Sequence, residues 1–516
     1  MRSTTVYRRF YTTESAGTAI TVDLPGFGTP KACLIYYLEN SAINDAFDTS
    51  LQFRTMGIGM IGSTDSSVTS ALTYRSCFTT QMNAMASAGT TISRRQHSIS
   101  RYLYVPNTAG TILWQASSAS FTTDQATFTP SASTPQTNGH VDCIMTFFTG
   151  DDLTVAIGDS SFPGAAPGTR AYSQLSFQPD LVLVASTIVG RDAGVQDDAR
   201  LSFGAATRLP ALQKGVSWHM ELGGVGVNNL GLGALASSSV MISYGSNLST
   251  GPGTDTISAI TTGGWTFTEA TISSGTTNAY NFMAFKTNSP TDIALVDVVS
   301  NTTTGDLFTG LGSSGFVPQT VIGALTNNSV DNTRNLSSPD ADGIFLFAGN
   351  NSNHSVFYNG IGTISTSNVS STVTGVNTEF LRLAPGYRLY QTDGTLIGTV
   401  STAASKLSLT LTSTAANTLS AGTSYLYTQP GQYCAAFGNS DNTTSTQILS
   451  GIATTLIANA RGVGANPVRL ELGNLTNFDT RPGFNVNTSL ASGTARRGFA
   501  VAFKSEQANR RRGQTS

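Results

Sequence analysis

Charge is what this chain has least of. Among 516 residues, Lys and Arg number 28 and Asp and Glu 30, together 11%, less than half the usual share. A net charge of −2 and a pI near 6.1 exclude a general electrostatic hold on nucleic acid or acidic lipid. Cysteine is as scarce. Cys33, Cys77, Cys143 and Cys434 are scattered without a C-x-x-C pair, so neither a disulfide framework nor a zinc site is expected, and Cys33 and Cys143 read as buried free thiols. The four histidines, His97, His140, His219 and His354, have neither the i, i+4 spacing of a helical metal site nor an evident local carboxylate partner, and read as structural. No G-x-S-x-G elbow offers a nucleophile for acyl transfer. No run approaches the length of a membrane span, and Met1 to Val6 lack the apolar core of a secretory signal. A soluble product with no export signal and no membrane insertion is therefore expected.

Ser, Thr, Asn and 52 Gly fill the polar positions instead, while apolar residues still reach 39% and aromatics 9%. The β-branched and aromatic residues fall in short runs between Gly, Asn and Ser clusters, which indicates an all-β chain. A length of 516 exceeds what one hydrophobic core can serve and predicts two to four domains. Repeats show how to divide it. Gly264-Trp265-Thr266-Phe267-Thr268 followed by Tyr280-Asn281-Phe282-Met283-Ala284-Phe285-Lys286 returns as Gly483-Phe484-Asn485-Val486-Asn487 with Gly498-Phe499-Ala500-Val501-Ala502-Phe503-Lys504. A worn version is Ala126-Thr127-Phe128-Thr129 with Val141 to Phe148. Each reads as a half-exposed strand beside a buried one. A second phrase, Phe and Pro ahead of an apolar run, recurs at Phe27 to Tyr37, Phe177 to Ser186 and Phe316 to Ala324. Pro cannot donate to a ladder, so it precedes the strand. An acidic loop then leads to a third strand: Asp48 before Phe53, Asp197-Asp198 before Phe203, Asp340 and Asp342 before Phe345.

These repeats predict three tandem β-sandwich-like domains at 1–150, 151–290 and 291–507, with a basic tail at 508–516. The third is too long. Its surplus, 361–428, carries five short alternating segments and an Asp393-Gly394 hairpin signal, and reads as a small β-barrel-like module inserted in a loop. Ser70 to Met85 reads as a short helix or an irregular strand. Arg2, Arg8 and Arg9, with Arg510-Arg511-Arg512, read as solvated terminal segments, the alternative being contact with a neighbouring subunit or an acidic surface.

Candidate sites are few. Gly57 to Gly62 and Gly310 to Gly315 match G-x-G-x-x-G, but neither precedes the helix that a dinucleotide fold requires, so both read as Gly-rich turns. Asp197-Asp198, or Asp340 with Asp342, offer oxygen ligands for Ca²⁺ or, the preferred reading, Asx-turn acceptors. Trp265 aligns with Phe484 and so fills a core. Trp114 and Trp218 lack counterparts, which leaves core burial, the favoured reading, beside stacking on a sugar ring. In the insert, Tyr387, Tyr390, Tyr425 and Tyr427 are the candidates for a contact face. No catalytic, cofactor-binding or metal-ligating residue is assigned, and a non-enzymatic protein is expected.

The opening phrases at Phe177 and Phe316, with the Ala-Phe-Lys closings at Lys286 and Lys504, resemble the repeated β-domains of tailed-bacteriophage virion proteins. The insert, with Thr372-Val373-Thr374-Gly375, Pro385-Gly386-Tyr387, Leu396 to Val400 and Leu407 to Leu411, resembles small β-modules embedded in phage tail and fibre proteins. The resemblance implies a virion structural protein assembled in the host cytoplasm, tail-associated as fibre, spike or adaptor, and homo-oligomeric. Other virion proteins and a host-surface glycan are the implied partners, with no nucleic acid. The alternatives are a capsid decoration or head-fibre protein and, from another class, a glycan-degrading tailspike enzyme. Three fused copies would let one chain occupy three quasi-equivalent positions. The shared motifs specify structure, so they transfer no functional residue.

Overall fold

Leu181 to Val189 is buried at every position, which a strand with one face in water cannot be; such a run needs a core on both sides. A computed structural model shows where the two cores come from. It describes residues 1–504 except for 44–52, 64–71, 83–92, 221–230, 244–252, 270–277, 327–342 and shorter stretches, and 505–516 also lie outside the described residues. Among the described residues there is no α-helix, only short 3₁₀ turns such as Pro290–Asp292 and Phe380–Arg382 in a framework of antiparallel sheet.

Each repeat is a sandwich of ten strands, and the strand order is the same in all three. One sheet runs first, tenth, third, fourth, fifth, sixth; the facing sheet runs second, ninth, eighth, seventh. The repeated closing phrase is thus split between layers. Gly264–Glu269 lies in the four-stranded sheet and Asn278–Lys286 in the larger one, so the two are not neighbours as expected but face each other across the core. The buried Asp180 of the opening phrase ties strand ends together: it accepts from Thr287 N at 2.9 Å and from Arg208 Nη2 at 2.6 Å.

The larger sheets carry the second core. In sandwich 1, Cys33, Ile35 and Tyr37 point into its own interior, while Leu34, Tyr36 and Leu38 enter a cluster shared with Leu181, Leu183, Ile322 and Ala324 of the other two. Three equivalent phenylalanines, each the last apolar residue of its closing strand, meet there. Phe148 lies 5.0 Å from Phe285 and 5.1 Å from Phe503, and Phe285 lies 5.8 Å from Phe503. The three sandwiches therefore surround a pseudo-threefold axis, with their larger sheets inward.

Short strands interlock the lobes. Gln196–Asp197, from the acidic loop of sandwich 2, extends the larger sheet of sandwich 1 at Ser93–Ser98, and Ala42–Ile43 of sandwich 1 extends that of sandwich 3 at Gln447–Ala453. Two local expectations are corrected. Thr73–Met82, read as helix or irregular strand, is a regular ten-residue strand; Ser76 to Thr79 are buried in succession, which hides its alternation. Arg2–Tyr11 is also a ten-residue strand, with Val6 and Phe10 fully buried, and not a solvated terminus. The module has eight strands, not five, running in one unclosed ladder from Tyr358–Asn359 to Leu419–Thr423. It leaves sandwich 3 between its fourth and fifth strands, Gly343–Asn350 and Gln432–Ser440.

Candidate functional site

The three seams between sandwiches can be compared position by position. At the first, Arg75 Nε meets Asp159 at 2.9 Å; at the second, Lys214 Nζ meets Asp297 at 2.6 Å. Strand register identifies the third pair. Arg75, Lys214 and Tyr433 stand opposite Met60, Ala205 and Ala348, and Asp159, Asp297 and Tyr7 stand opposite Asn281, Phe499 and Ile144. Where two seams hold an ion pair, the third holds Tyr7 stacked on Tyr433 at 5.7 Å. This is the seam that carries the module. Tyr387 donates to Tyr7 O at 3.4 Å, Tyr387 and Tyr358 stack on Tyr427, and Tyr358 packs into the interior of sandwich 1.

Polar groups of sandwich 3 complete the seat. The first strand is an edge, and an edge with free N–H and C=O groups invites pairing. Here side-chain amides occupy it: Asn350 accepts from Thr5 N and donates to Thr5 O, both at 2.8 Å, and Gln429 accepts from Tyr7 N at 2.9 Å. Beneath Tyr7 lies Asp142, fully buried. It accepts from Tyr7 Oη at 2.5 Å and from Arg9 at 2.6 and 3.1 Å, with His140 Nε2 at 3.2 Å. Burial alone would raise this carboxyl, but Arg9 and His140 outweigh it and hold the group well below the usual carboxylate range. The expectation that no histidine has a local carboxylate partner is corrected at His140, because residues two apart in a strand share a face.

The second seam has no module. It is an open groove of about 570 Å³ lined by Leu212, Lys214, Val296, Asp297, Phe308 and Leu311, among others. A cavity of about 120 Å³ lies beside the module's seam, walled by Arg2, Leu24, Gln319, Asn350 and Tyr358 among others.

The remaining expected residues divide plainly. All three tryptophans are buried: Trp114 stacks on Phe10 at 5.6 Å, Trp218 meets Phe437 at 5.2 Å, and Trp265 donates to Tyr280 at 3.2 Å. Of the four module tyrosines, Tyr387 and Tyr425 are core and Tyr427 is half-buried in the seat. Only Tyr390 faces outward, edge-on to the exposed Phe357 at 5.0 Å. Gly57 to Gly62 lies inside a strand, not a turn. A Cβ on Gly57 would sit 2.2 Å from the Tyr37 ring, and one on Gly59 2.1 Å from Tyr102 O, so close packing demands these glycines. In the other match, Gly312 and Gly315 have φ of 60° and 62°, as in turns. Asp197 belongs to the interlocking strand, while Asp48, Asp198, Asp340, Asp342 and His354 lie outside the described residues. All four cysteines are free and buried.

One carboxylate pair escaped the sequence reading. Asp255 and Glu269 stand opposite each other in sandwich 2, both buried, and burial pushes Glu269 up to about 7. They face the sandwich interior, in line with Ile257 and Phe267, and no tryptophan is exposed beside them.

His97, wholly buried at the first seam, gives a pH-dependent prediction. Burial lowers it from 6.5 to about 4. Its contribution is complete above pH 6.5 and falls away as the pH drops toward 4, because only the unfolded chain takes up the proton in that window. Replacement by Gln is expected to remove about 2–3 kcal/mol of the stability lost between pH 7 and pH 4, read from urea midpoints at each pH.

No family model matches this chain, and no curated protein is similar to it. Among the described residues, no helix is long and apolar enough to cross a membrane. Among solved structures, a similar chain is the ligand-binding domain of botulinum neurotoxin serotype D in complex with N-acetylneuraminic acid. It has 8% identity, covers 56% of this chain and 88% of that one, and has a TM-score of 0.11, too low to bear on fold or function.

Proposed function

We propose that this chain is a non-enzymatic structural component of a bacteriophage particle, tail-associated as a fibre, spike or adaptor, with the module as its surface-contacting part. One observation carries the reading: three equivalent sandwiches are fused around a single axis, and one of them alone bears an added module on a rebuilt seam. Such a body offers an approximately threefold partner three matching lobes while directing one module outward. That asymmetry is what a particle component needs when a single copy must mark one direction.

The same threefold form supports a second reading, a capsid decoration or head-fibre protein at a threefold position. Locating the chain in a cryo-EM map of intact particles separates the two. Density in the tail is the expected result, and density on the capsid selects the second reading. Absence of the protein from purified particles would sink both.

A further inference from the structure

The first seam departs from the threefold pattern at a buried position. Register sets His97 opposite Cys77, and sets Leu235 and Ile452 opposite the equivalent residues Val216 and Ala435. The ring meets Asn281 of sandwich 2, which stands where the other closing strands have Phe499 and Ile144. Two apolar positions of the repeat are thus polar here, and both side chains are buried. The strand behind them is distorted at the same place. Leu181–Gly190 loses register with its closing strand between Ala185 and Val189, and buried Ile188 has a φ of 56°, a costly conformation for a β-branched residue. The equivalent Ala32–Glu39 keeps its register throughout. The bulge turns Thr187 onto the strand of His97, where its hydroxyl donates to Gln96 O at 3.0 Å. We propose that His97 is an acid-operated latch: a proton on its ring opens the seam between sandwiches 1 and 2 and leaves the other two seams shut.

The surrounding charges set the direction. Asp159 is already shared by Arg75 Nε at 2.9 Å and Arg191 Nε at 2.5 Å, and Asp192 accepts from Ile99 N at 3.2 Å. Thr73–Met82 contributes Cys77 beside Arg75, and Leu181–Gly190 carries no titratable group. Asp197 and Arg200 stand on Gln196–Asp197 and Ala199–Thr207, the further strands packed on Ser93–Ser98. A protonated ring would be one more cation in this buried cluster, with a neutral amide as its partner, and burial lowers it from 6.5 to about 4. His140 at the third seam differs, because Asp142 lies 3.2 Å from its ring and supplies a counter-charge. Once the seam is open, water restores the ordinary affinity of His97 for a proton, so opening becomes easier as the pH falls through 6.5 toward 4. The strand clasp across this seam is short, Gln196 opposite Arg95 and Asp197 opposite Arg94. Opening also parts Tyr36 from Phe203, whose rings meet at 5.7 Å, so lobe 2 would bare an apolar face in acid and cover it at neutral pH.

The four buried thiols of the full chain report on this separately. Cys77 belongs to the cluster shared between lobes, whereas Cys33 and Cys143 lie inside sandwich 1 and Cys434 inside sandwich 3. Labelling uses a pyridyl disulfide reagent, which reacts in acid, with each site located by peptide mass spectrometry and each rate divided by that of a cysteine peptide at the same pH. Cys77 is expected to react about 20-fold faster at pH 5 than at pH 7, while the other three stay slow. His97→Leu, which supplies the residue of the second seam, and His97→Gln should each abolish the rise. Acceleration that persists in both variants overturns the proposal, as does equal acceleration of all four thiols or none at Cys77.

Discussion

Replacing Phe285 by Ala is expected to destabilise the chain by about 3–5 kcal/mol and to lower the unfolding midpoint of all three sandwiches together. The ring is fully buried and touches its two counterparts, Phe148 and Phe503, on the axis. Truncation leaves a cavity that no single lobe can close, since each wall belongs to a different lobe. Intrinsic fluorescence separates the outcomes: Trp114 reports on sandwich 1, while Trp218 and Trp265 report on sandwich 2. Single-tryptophan variants in urea should show the Trp114 transition moving as far as the Trp265 transition. A shift confined to sandwich 2 would mean that the lobes unfold independently and that the axial cluster couples nothing.

The second large effect is expected at Asp142. Replacement by Ala removes the carboxylate that Arg9, whose side chain is only 18% exposed, meets at 2.6 Å, and with it the acceptor of the Tyr7 hydroxyl. Breaking a buried pair in this way costs about 3–5 kcal/mol. The pH dependence has a definite sign. A carboxyl held below its ordinary value of 3.8 contributes fully above that pH and loses its contribution as the pH falls below it, so Asp142→Asn should flatten the acid limb of the stability curve. Because Tyr7 also carries Tyr433 and Tyr387, the variant should speed hydrogen exchange in the module more than in sandwich 2. Equal exchange in both would detach the network from the module's seat.

Much of the architecture could be read from the chain. A Phe and Pro ahead of an apolar run opens all three units, and Ala-Phe-Lys closes two of them, because each phrase has a fixed local duty: Pro stays out of the ladder, and the apolar run crosses the core. The arrangement of the units was hidden in the same runs. Leu34 and Ile35 look alike in the sequence, yet one faces the axis and the other its own sandwich. A run apolar at every position says that two cores exist without saying whose they are. Burial of Ser76 to Thr79 in succession likewise disguised Thr73–Met82 as irregular. The Asp142 cluster was missed for another reason: Tyr7 and Arg9 are far from His140 and Asp142 in the chain, and only antiparallel register puts Arg9 opposite Asp142. Of the module tyrosines, alternation in Arg388–Gln391 could have marked Tyr390 as outward and Leu389 as inward, whereas the burial of Tyr387 depends on a partner 380 residues away.

The edge contacts of the first strand have a consequence for how the protein is made. Thr5 and its partner Asn350 are 345 residues apart, and at about 5–20 residues per second of synthesis the partner leaves the ribosome roughly 20–70 s after the strand does. Through that interval Arg2–Tyr11 can pair with His140–Thr149 on one side while its other edge stays open. Closure of the three lobes therefore waits for sandwich 3, whose closing strand Arg497–Lys504 pairs with Ile293–Val299 and Pro318–Thr326, and until then the exposed edge of Arg2–Tyr11 is where a ribosome-associated chaperone matters most.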